Sequence, residues 1–327
     1  MRDIKPILPI SIAIPTLNRP VSLKQTLTTY LVANYRPAQI IVVDQSTQPD
    51  IRKQNKQLLD NLPQDINGIY IHQAFPSSTH ARNRALRVAN QDIIIWSDDD
   101  IEIGTDILKN VYDIMQDSSV ALIAGLNDYQ PSHKTIHPTL TLSKKFIGCI
   151  MGMYPWRQGK IGYVSLSIFG RFPKFPVKGE VPTQWAMGFF FVTRKHLLNQ
   201  WNIYWDENLR SFAFEEDLDF SYSYYKHAQK EGLKCIYSDK VHVFHHPSTE
   251  YRIPSKHHTF MIICNRYYLA HKHKKGIISI MAMSWYNFWY LILRLVRNKQ
   301  PEDVWQAICY CVKNHRAISK GHLGEYK

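Results

Sequence analysis

Ile93-Ile94-Ile95-Trp96-Ser97-Asp98-Asp99-Asp100 sets four apolar residues directly before three adjacent carboxylates. The apolar run reads as a buried strand, which places the acidic triplet at a buried strand end. Adjacent carboxylates repel one another, and a divalent cation is a common reason for them to share one place. A solvated acidic turn capping a helix that begins near Asp106 is the competing reading, and the buried strand favours ligation over it. The first and third carboxylates form a D-x-D pattern, suited to bridging a hard cation such as Mg²⁺ or Mn²⁺ to a nucleoside diphosphate, while one carboxylate of such a set can hold ribose hydroxyls.

Outward from this stretch, short apolar runs alternate with helix-like segments. Strands are expected at Ile10 to Ile14, Ile40 to Asp44, Ile69 to His72 and Val120 to Ala124. Helices are expected at Val21 to Leu31, Arg52 to Leu62, Thr79 to Ala89 and Asp106 to Met115. Repeated strand–helix–strand units imply a mainly parallel sheet with helices on both faces, because parallel strands need crossover connections. Ligands of such sheets bind beyond the carboxyl ends of the strands. Those ends carry Pro15-Thr16-Leu17-Asn18-Arg19, Asp44 and the acidic triplet. Only Gly68 and Gly104 precede Val120, so neither G-x-G-x-x-G nor a P-loop is present, which excludes the usual dehydrogenase and P-loop ATPase patterns. Beyond about residue 126 the alternation gives way to a proline- and aromatic-rich stretch. Regular pattern returns at Trp185 to Phe191, in a helix at Asp217 to Gln229 and in a strand at Val241 to Phe244.

The 327 residues, 45% of them apolar, can bury one large core or two modest ones. Five cysteines without paired metal spacing suggest a reducing compartment and no structural zinc. The N-terminal MRDIKPILPI, interrupted by Pro6 and Pro9, does not read as a signal peptide, and the protein is expected in the cytoplasm. A net charge of +13 calls for an anionic neighbour. The basic runs His271 to Lys275 and Arg294 to Lys299 flank the uncharged stretch Gly276 to Leu293, an arrangement that favours lipid over nucleic acid. That stretch just reaches spanning length. Basic residues at both ends and interfacial Trp, Tyr and Asn in its middle favour an in-plane helix on the inner membrane face, with a buried core helix as the alternative.

Several separate motifs agree with one family. Pro15 to Arg19, Val42-Val43-Asp44, Ala81-Arg82-Asn83, Asp98-Asp99-Asp100, Gly188-Phe189 and Glu216-Asp217 occur in the order seen in glycosyltransferase family 2, and the chain resembles that family over roughly residues 8 to 250. The resemblance implies a GT-A fold, with residues 1–125 as the nucleotide-sugar half, 126–250 as the acceptor half of the same domain and 251–327 as a helical, membrane-associating tail. It also implies an inverting, metal-dependent transferase that moves a sugar from a UDP- or dTDP-type donor to a hydroxyl of a glycan or lipid-linked acceptor in cell-surface polysaccharide synthesis. A catalytically silent glycan- or lipid-binding protein of the same fold is the alternative function.

Carried over by position, Thr16, Arg19 and Asp44 would contact the nucleotide, and Arg82 would approach the base or the diphosphate unless it is a surface arginine. Asp98 would face the ribose, Asp100 would ligate Mg²⁺ or Mn²⁺, and Asp99 is the ambiguous middle member of the donor site. Asp217 would be the general base with Glu216 beside it. Asp217 and Asp219 lie about 200° apart on a helix, so one of them should be structural. Trp185 and Gly188, followed by Phe189 to Phe191, would border the acceptor. Of three candidate histidines, His242, His245 and His246, the local pattern favours His245 as a metal ligand.

Overall fold

The computed structural model describes residues 5–128, 146, 148–152, 159–210, 214–246 and 254–324. The expected alternation appears as β1 (Ile7–Thr16), α1 (Pro20–Val32), β2 (Arg36–Asp44), α2 (Pro49–Asp60), β3 (Asn67–His72), α3 (Ser78–Val88) and β4 (Ile93–Ser97). These strands pair in parallel in the order β3-β2-β1-β4. β1, β2 and β4 are apolar on both faces because helices cover both sides of the sheet, and period-2 alternation divides their side chains between two cores. Ile10, Ile12 and Ile14 of β1, with Ile93 and Ile95 of β4, face a core shared with α1 and α2. Ala13, Ile94 and Trp96 face a second core shared with α3. Each fully buried Ile contributes about 1.5–3 kcal/mol.

The triplet is followed by a short strand, β5 (Ile101–Ile103), before the helix α4 (Ile107–Ile114) and β6 (Val120–Asn127). The competing reading, an acidic turn that caps the following helix directly, does not hold, because β5 stands between the triplet and α4. Thr26 of α1 fixes β5 by donating to the Ile101 carbonyl (2.8 Å) and accepting from its N–H (3.0 Å). In the proline-rich stretch lie three short strands, β7 (Tyr163–Val164), β8 (Gly170–Arg171) and β9 (Glu180–Pro182). They are followed by β10 (Phe190–Arg194), α5 (Lys195–Gln200), α6 (Glu216–Lys230) and β11 (Lys234–His245). The central sheet continues β4-β10-β6-β11-β5, with β11 parallel to β6 and β9 paired to β11. β10 is inserted antiparallel between β4 and β6. Its reversed direction brings its first residues, rather than its last, to the carboxyl end of β4.

The chain ends in α7 (Ser255–Lys272), α8 (Gly276–Val296), α9 (Pro301–Lys313) and α10 (His315–Ile318). A third apolar cluster joins Phe260, Ile263 and Leu269 of α7 and Val304 of α9 to Trp185, Leu209 and Leu218. Polar contacts reinforce this attachment: Lys272 Nζ reaches Asp206 and Asp219 at 2.6 Å each, and Asn265 donates to the Phe214 carbonyl at 2.9 Å. α8 does not behave as a buried core helix. Only Ser279 and Met283 on it are buried, and Ile278, Met281, Trp285 and Phe288 form an exposed stripe at three- and four-residue spacing. Among the described residues it is the one helix long and apolar enough to cross a membrane.

Candidate active site

The carboxyl ends of β1 and β4, the start of β10 and the end of β11 converge on one cleft of about 200 Å³. Thr16, Arg19, Arg82, Asp98, Asp99, Gly188, Glu216, Asp217 and His245 all line it, although they come from six separate stretches of the sequence.

Asp99, the middle carboxylate, is 3% exposed and works as a clasp. It accepts from Thr16 Oγ1 at 2.7 Å and from Arg19 Nη1 at 3.1 Å, which pins the loop after β1 to the end of β4. Burial pushes its carboxyl up to about 7, against the pull of Arg19 and Thr16.

Asp98, Asp100 and His245 form a separate group whose ligand atoms lie within 4.8 Å of one another. Strand pairing builds this group. β5 runs antiparallel to β11 with Ile101 opposite His245, and the His246 N–H donates to the Asp100 carbonyl at 2.9 Å. His245 Nε2 thereby comes to 3.2 Å from Asp100 Oδ1, with its ring stacked on Phe189. Burial opposes a charge on this imidazole, but Asp100 and Asp98 outweigh it and raise its pKa. The other two histidines are engaged elsewhere, His242 with Asp128 and His246 with Glu102. Two carboxylates and an imidazole fit Mg²⁺ or Mn²⁺ by donor chemistry, and the His245 nitrogen that met the cation would have to be unprotonated.

Arg82 is buried in the cleft wall, not on the surface. Its guanidinium donates to Asp98 (2.9 Å), Glu216 (2.9 Å) and the Gly188 carbonyl (3.2 Å) and lies 4.5 Å above the Trp205 ring. It thus ties the acidic triplet, the approach to β10 and the start of α6 together. Trp205 was not foreseen; a lone tryptophan in a loop carries no local signal of stacking on a distant arginine.

The start of α6 is set by Glu215, whose left-handed φ of 71° is unfavourable for a residue with a Cβ and aims the next two carboxylates at the cleft. Asp217 Oδ2 accepts the Gly188 N–H and Oδ1 accepts the Leu218 N–H, both at 2.7 Å. Gly188 allows this close approach: a Cβ would stand 3.2 Å from Asp217 Cβ and 3.4 Å from Arg82 Nη2, so those side chains would have to shift by a few tenths of an ångström. Burial, the largest influence on Asp217, raises its pKa despite the donated N–H groups. Glu216 is likewise pushed up by burial, to about 8, against the adjacent Arg82. Asp219 turns the other way, is 1% exposed and pairs with Lys272 and with His273 Nε2 at 2.9 Å. It is the structural member of the pair.

Three expected site residues lie outside the cleft lining. Asp100, although grouped with Asp98 and His245, borders the adjoining pocket with Thr26, Ile101 and His246. Asp44 is fully buried and accepts from the Ser46 N–H (2.8 Å), Asn55 (2.9 Å) and Tyr70 (2.8 Å), so it organises the loop after β2. Trp185 is buried against Phe172 and donates to the Arg171 carbonyl at 3.1 Å. Conversely, Gln45, Ser77 and Ser78 line the cleft and were not singled out. Ser77 caps α3, and its N–H donates to Gln45 Oε1 at 2.5 Å. A serine just before the helical Thr79 run is an N-cap signal that could have drawn attention to it.

Raised carboxyl and imidazole pKa values have a consequence for stability. Between about pH 5 and pH 8 the folded state retains protons on Asp99, Glu216 and His245 that the unfolded chain has released, so stability falls as pH rises through that window. Metal-free thermal melts should show a lower Tm at pH 8 than at pH 5, with a flatter profile for Glu216→Gln. A Tm that is level or rises across the window would contradict this electrostatic account.

Residues 11–175 match the family described as Glycosyl transferase family 2, which is half of the chain. The chain belongs to glycosyltransferase family 2. No curated protein matches it significantly by sequence. Solved structures similar to this family member include GalNAc-T7 with UDP, GalNAc and Mn²⁺ (TM-score 0.54, 13% identity), of which the match covers 58% of the chain against 96% of this one. A mannosyltransferase from Pyrobaculum calidifontis in complex with GDP-Man and Mn²⁺ matches with TM-score 0.51 and 12% identity, covering 98% of this chain and 85% of that one. S. aureus TarS in complex with UDP-GlcNAc matches with TM-score 0.52 and 15% identity, over 84% of this chain and 72% of that one. These likenesses establish that the glycosyltransferase has the GT-A fold.

Proposed function

We propose that the protein is a metal-dependent, inverting glycosyltransferase that uses a nucleoside-diphosphate sugar. The observation that carries this reading is a carboxylate–imidazole ligand set (Asp98, Asp100, His245) whose Asp98 and His245 line the same cleft as a separately held, half-buried carboxylate, Asp217. A divalent cation bound by the first group would neutralise charge developing on the departing diphosphate. Arg82, fixed by Asp98 and Glu216, adds positive charge to the same wall. Asp217 would take the proton of the acceptor hydroxyl as its oxygen forms the new bond to the anomeric carbon and the bond to the nucleoside diphosphate breaks. A single displacement of this kind inverts the anomeric centre. Its raised pKa suits a base, since the proton is then held more strongly.

The donor assignment is tested by thermal stability against a panel of nucleoside diphosphates with and without Mn²⁺. One diphosphate should raise the Tm only with metal; no shift with any of them, in folded protein, would leave a glycan- or lipid-binding role.

We further propose that the enzyme works on a membrane surface, from the cytoplasm, on a glycan or lipid-linked acceptor in polysaccharide synthesis. Supporting this are the exposed stripe of α8 and the charge of residues 254–324, where eleven Lys and Arg stand against only Glu302 and Asp303. Its lateral packing, with Trp285 donating to the Ile150 carbonyl at 2.6 Å, favours a helix lying in the plane. Replacing Ile278 and Met281 together by Glu should lower cosedimentation with anionic vesicles at least tenfold, and added salt should weaken the wild type. Unchanged vesicle binding in the double variant would remove α8 from this role.

A further inference from the structure

A cleft of about 440 Å³ lies between α7, α8 and α9 and shares no lining residue with the donor site. Ile263 and Tyr267 of α7, Ile280 and Leu291 of α8, and Ile308 and Val312 of α9 form its walls. No Asp, Glu, Lys or Arg lines it. Its size falls within the roughly 300–1,000 Å³ of ordinary small-molecule sites, and its lining suits a ligand with little to hydrogen-bond.

Three observations say what fills it. First, its rim is exposed: Phe288, Trp305 and Val312 are 49%, 58% and 68% accessible, and Phe288 also belongs to the outer stripe of Ile278, Met281 and Trp285. The cleft therefore opens along the face proposed to meet the membrane. Second, exposed cations next to the cleft walls in the chain complement an anionic headgroup: Arg297 and Lys299 follow α8, Lys313 ends α9 and Arg316 lies just beyond it. Third, α7 connects the cleft to the catalytic turn. Ile263 and Tyr267, four residues apart, share one face of that helix, and Asn265, two residues from each, lies on the opposite side. Asn265 donates to the Phe214 carbonyl, three residues before Asp217. About one helix thickness, roughly 10 Å, thus separates the cleft from the segment that carries the base.

We propose that this cleft holds the hydrocarbon chain of the membrane lipid that carries the acceptor, so that the acceptor hydroxyl is presented to Asp217 from a chain anchored behind the catalytic turn. This rests on the glycosyltransferase reading for the acceptor's role, but the binding itself can be measured without nucleotide. A bulk lipid of the membrane is the competing occupant. The adjacency through Asn265 favours the acceptor's chain.

The test uses geranyl phosphate and farnesyl phosphate, below their aggregation concentrations and with EDTA, against inorganic phosphate as headgroup control. Burial of hydrocarbon contributes about fourfold in affinity per methylene, so farnesyl phosphate should bind more than tenfold tighter than geranyl phosphate, and phosphate should bind weakly or not at all. Ser284→Trp places bulk at the cleft with an exposed side chain as its starting point, and Ile308→Trp fills it from α9. Each should weaken farnesyl phosphate binding at least tenfold while preserving vesicle binding and the metal-dependent nucleotide shift. Chain-length independence, or farnesyl phosphate binding unchanged in both variants, would overturn the proposal. Equal loss of vesicle binding and farnesyl phosphate binding in Ser284→Trp would also overturn it, by making the cleft part of the general membrane face. Loss of the nucleotide shift in the wild type with chain binding intact would instead count against the transferase reading alone.

Discussion

Asp217→Asn is expected to lower kcat by about 10²- to 10⁴-fold, the scale of general acid–base catalysis, with donor binding retained. The substitution keeps the size of the side chain and removes its capacity to take a proton. It is not structurally silent. Both Asp217 oxygens accept backbone N–H groups, from Gly188 and Leu218, and an asparagine can accept at only one of them. The unmatched donor should cost about 1–3 kcal/mol of stability. A purely structural role would therefore lower Tm and donor affinity together with kcat. A base predicts something else: kcat collapses, the metal-dependent nucleotide shift persists, and the fall in wild-type activity toward acid pH is lost from what activity remains. Turnover within a few fold of wild type would take Asp217 out of the role, and Glu216, beside it and paired with Arg82, would be examined next.

Asp100→Asn should abolish the cation-dependent part of donor binding. In the metal-free fold Asp100 is held by Arg19 Nη1 at 3.3 Å and His245 Nε2 at 3.2 Å, at the junction of β4, β5 and β11. An amide there keeps the size of the side chain, can accept from only one of these two donors and supplies no negative charge for a divalent ion. A ligand at one hundred times its dissociation constant adds about 2.7 kcal/mol to stability, so the shift caused by nucleoside diphosphate with Mn²⁺ in the wild type should largely vanish in the variant. Turnover should fall by about 10² or more, because electrostatic stabilisation of a leaving group is commonly the largest single contribution. EDTA should reproduce the effect in the wild type and add little in Asp100→Asn. An intact Mn²⁺-dependent shift in Asp100→Asn would relocate the cation site.

Much of the fold was legible because its signals are local. Runs such as Ile93 to Trp96 specify a strand buried on both faces, and their alternation with helical segments specifies crossovers and one ligand-bearing edge. The acidic triplet was legible because charge at a buried strand end needs compensation. The order of the motifs added Arg82, Gly188 and Asp217, all of which line the cleft.

What was not legible depends on pairings between residues far apart in the chain. The antiparallel insertion of β10 puts Phe190 opposite Ser97, and the Asp98 N–H donates to the Phe189 carbonyl at 2.9 Å, which places Gly188 beside both the triplet and Asp217. His245 is distinguished from His242 and His246 by the β5–β11 register, and a one-residue slip would turn a different side chain toward the cleft. Asp44 and Asp99 look like ligands in the sequence and act as internal clasps, because the donors that satisfy them arrive from other elements. Hydrophobic period and charge are properties of neighbouring residues, and they specify the longer strands, their order along the chain, the acidic edge and the basic, apolar tail, whereas β5, β7, β8 and β9 are too short to carry a period. Only the tertiary structure decided which carboxylate faces the cleft and which is spent on packing. Asp217 and Asp219 have the same chemistry two residues apart, and the helix phase set by docking α6 against β10 and α7 separates them.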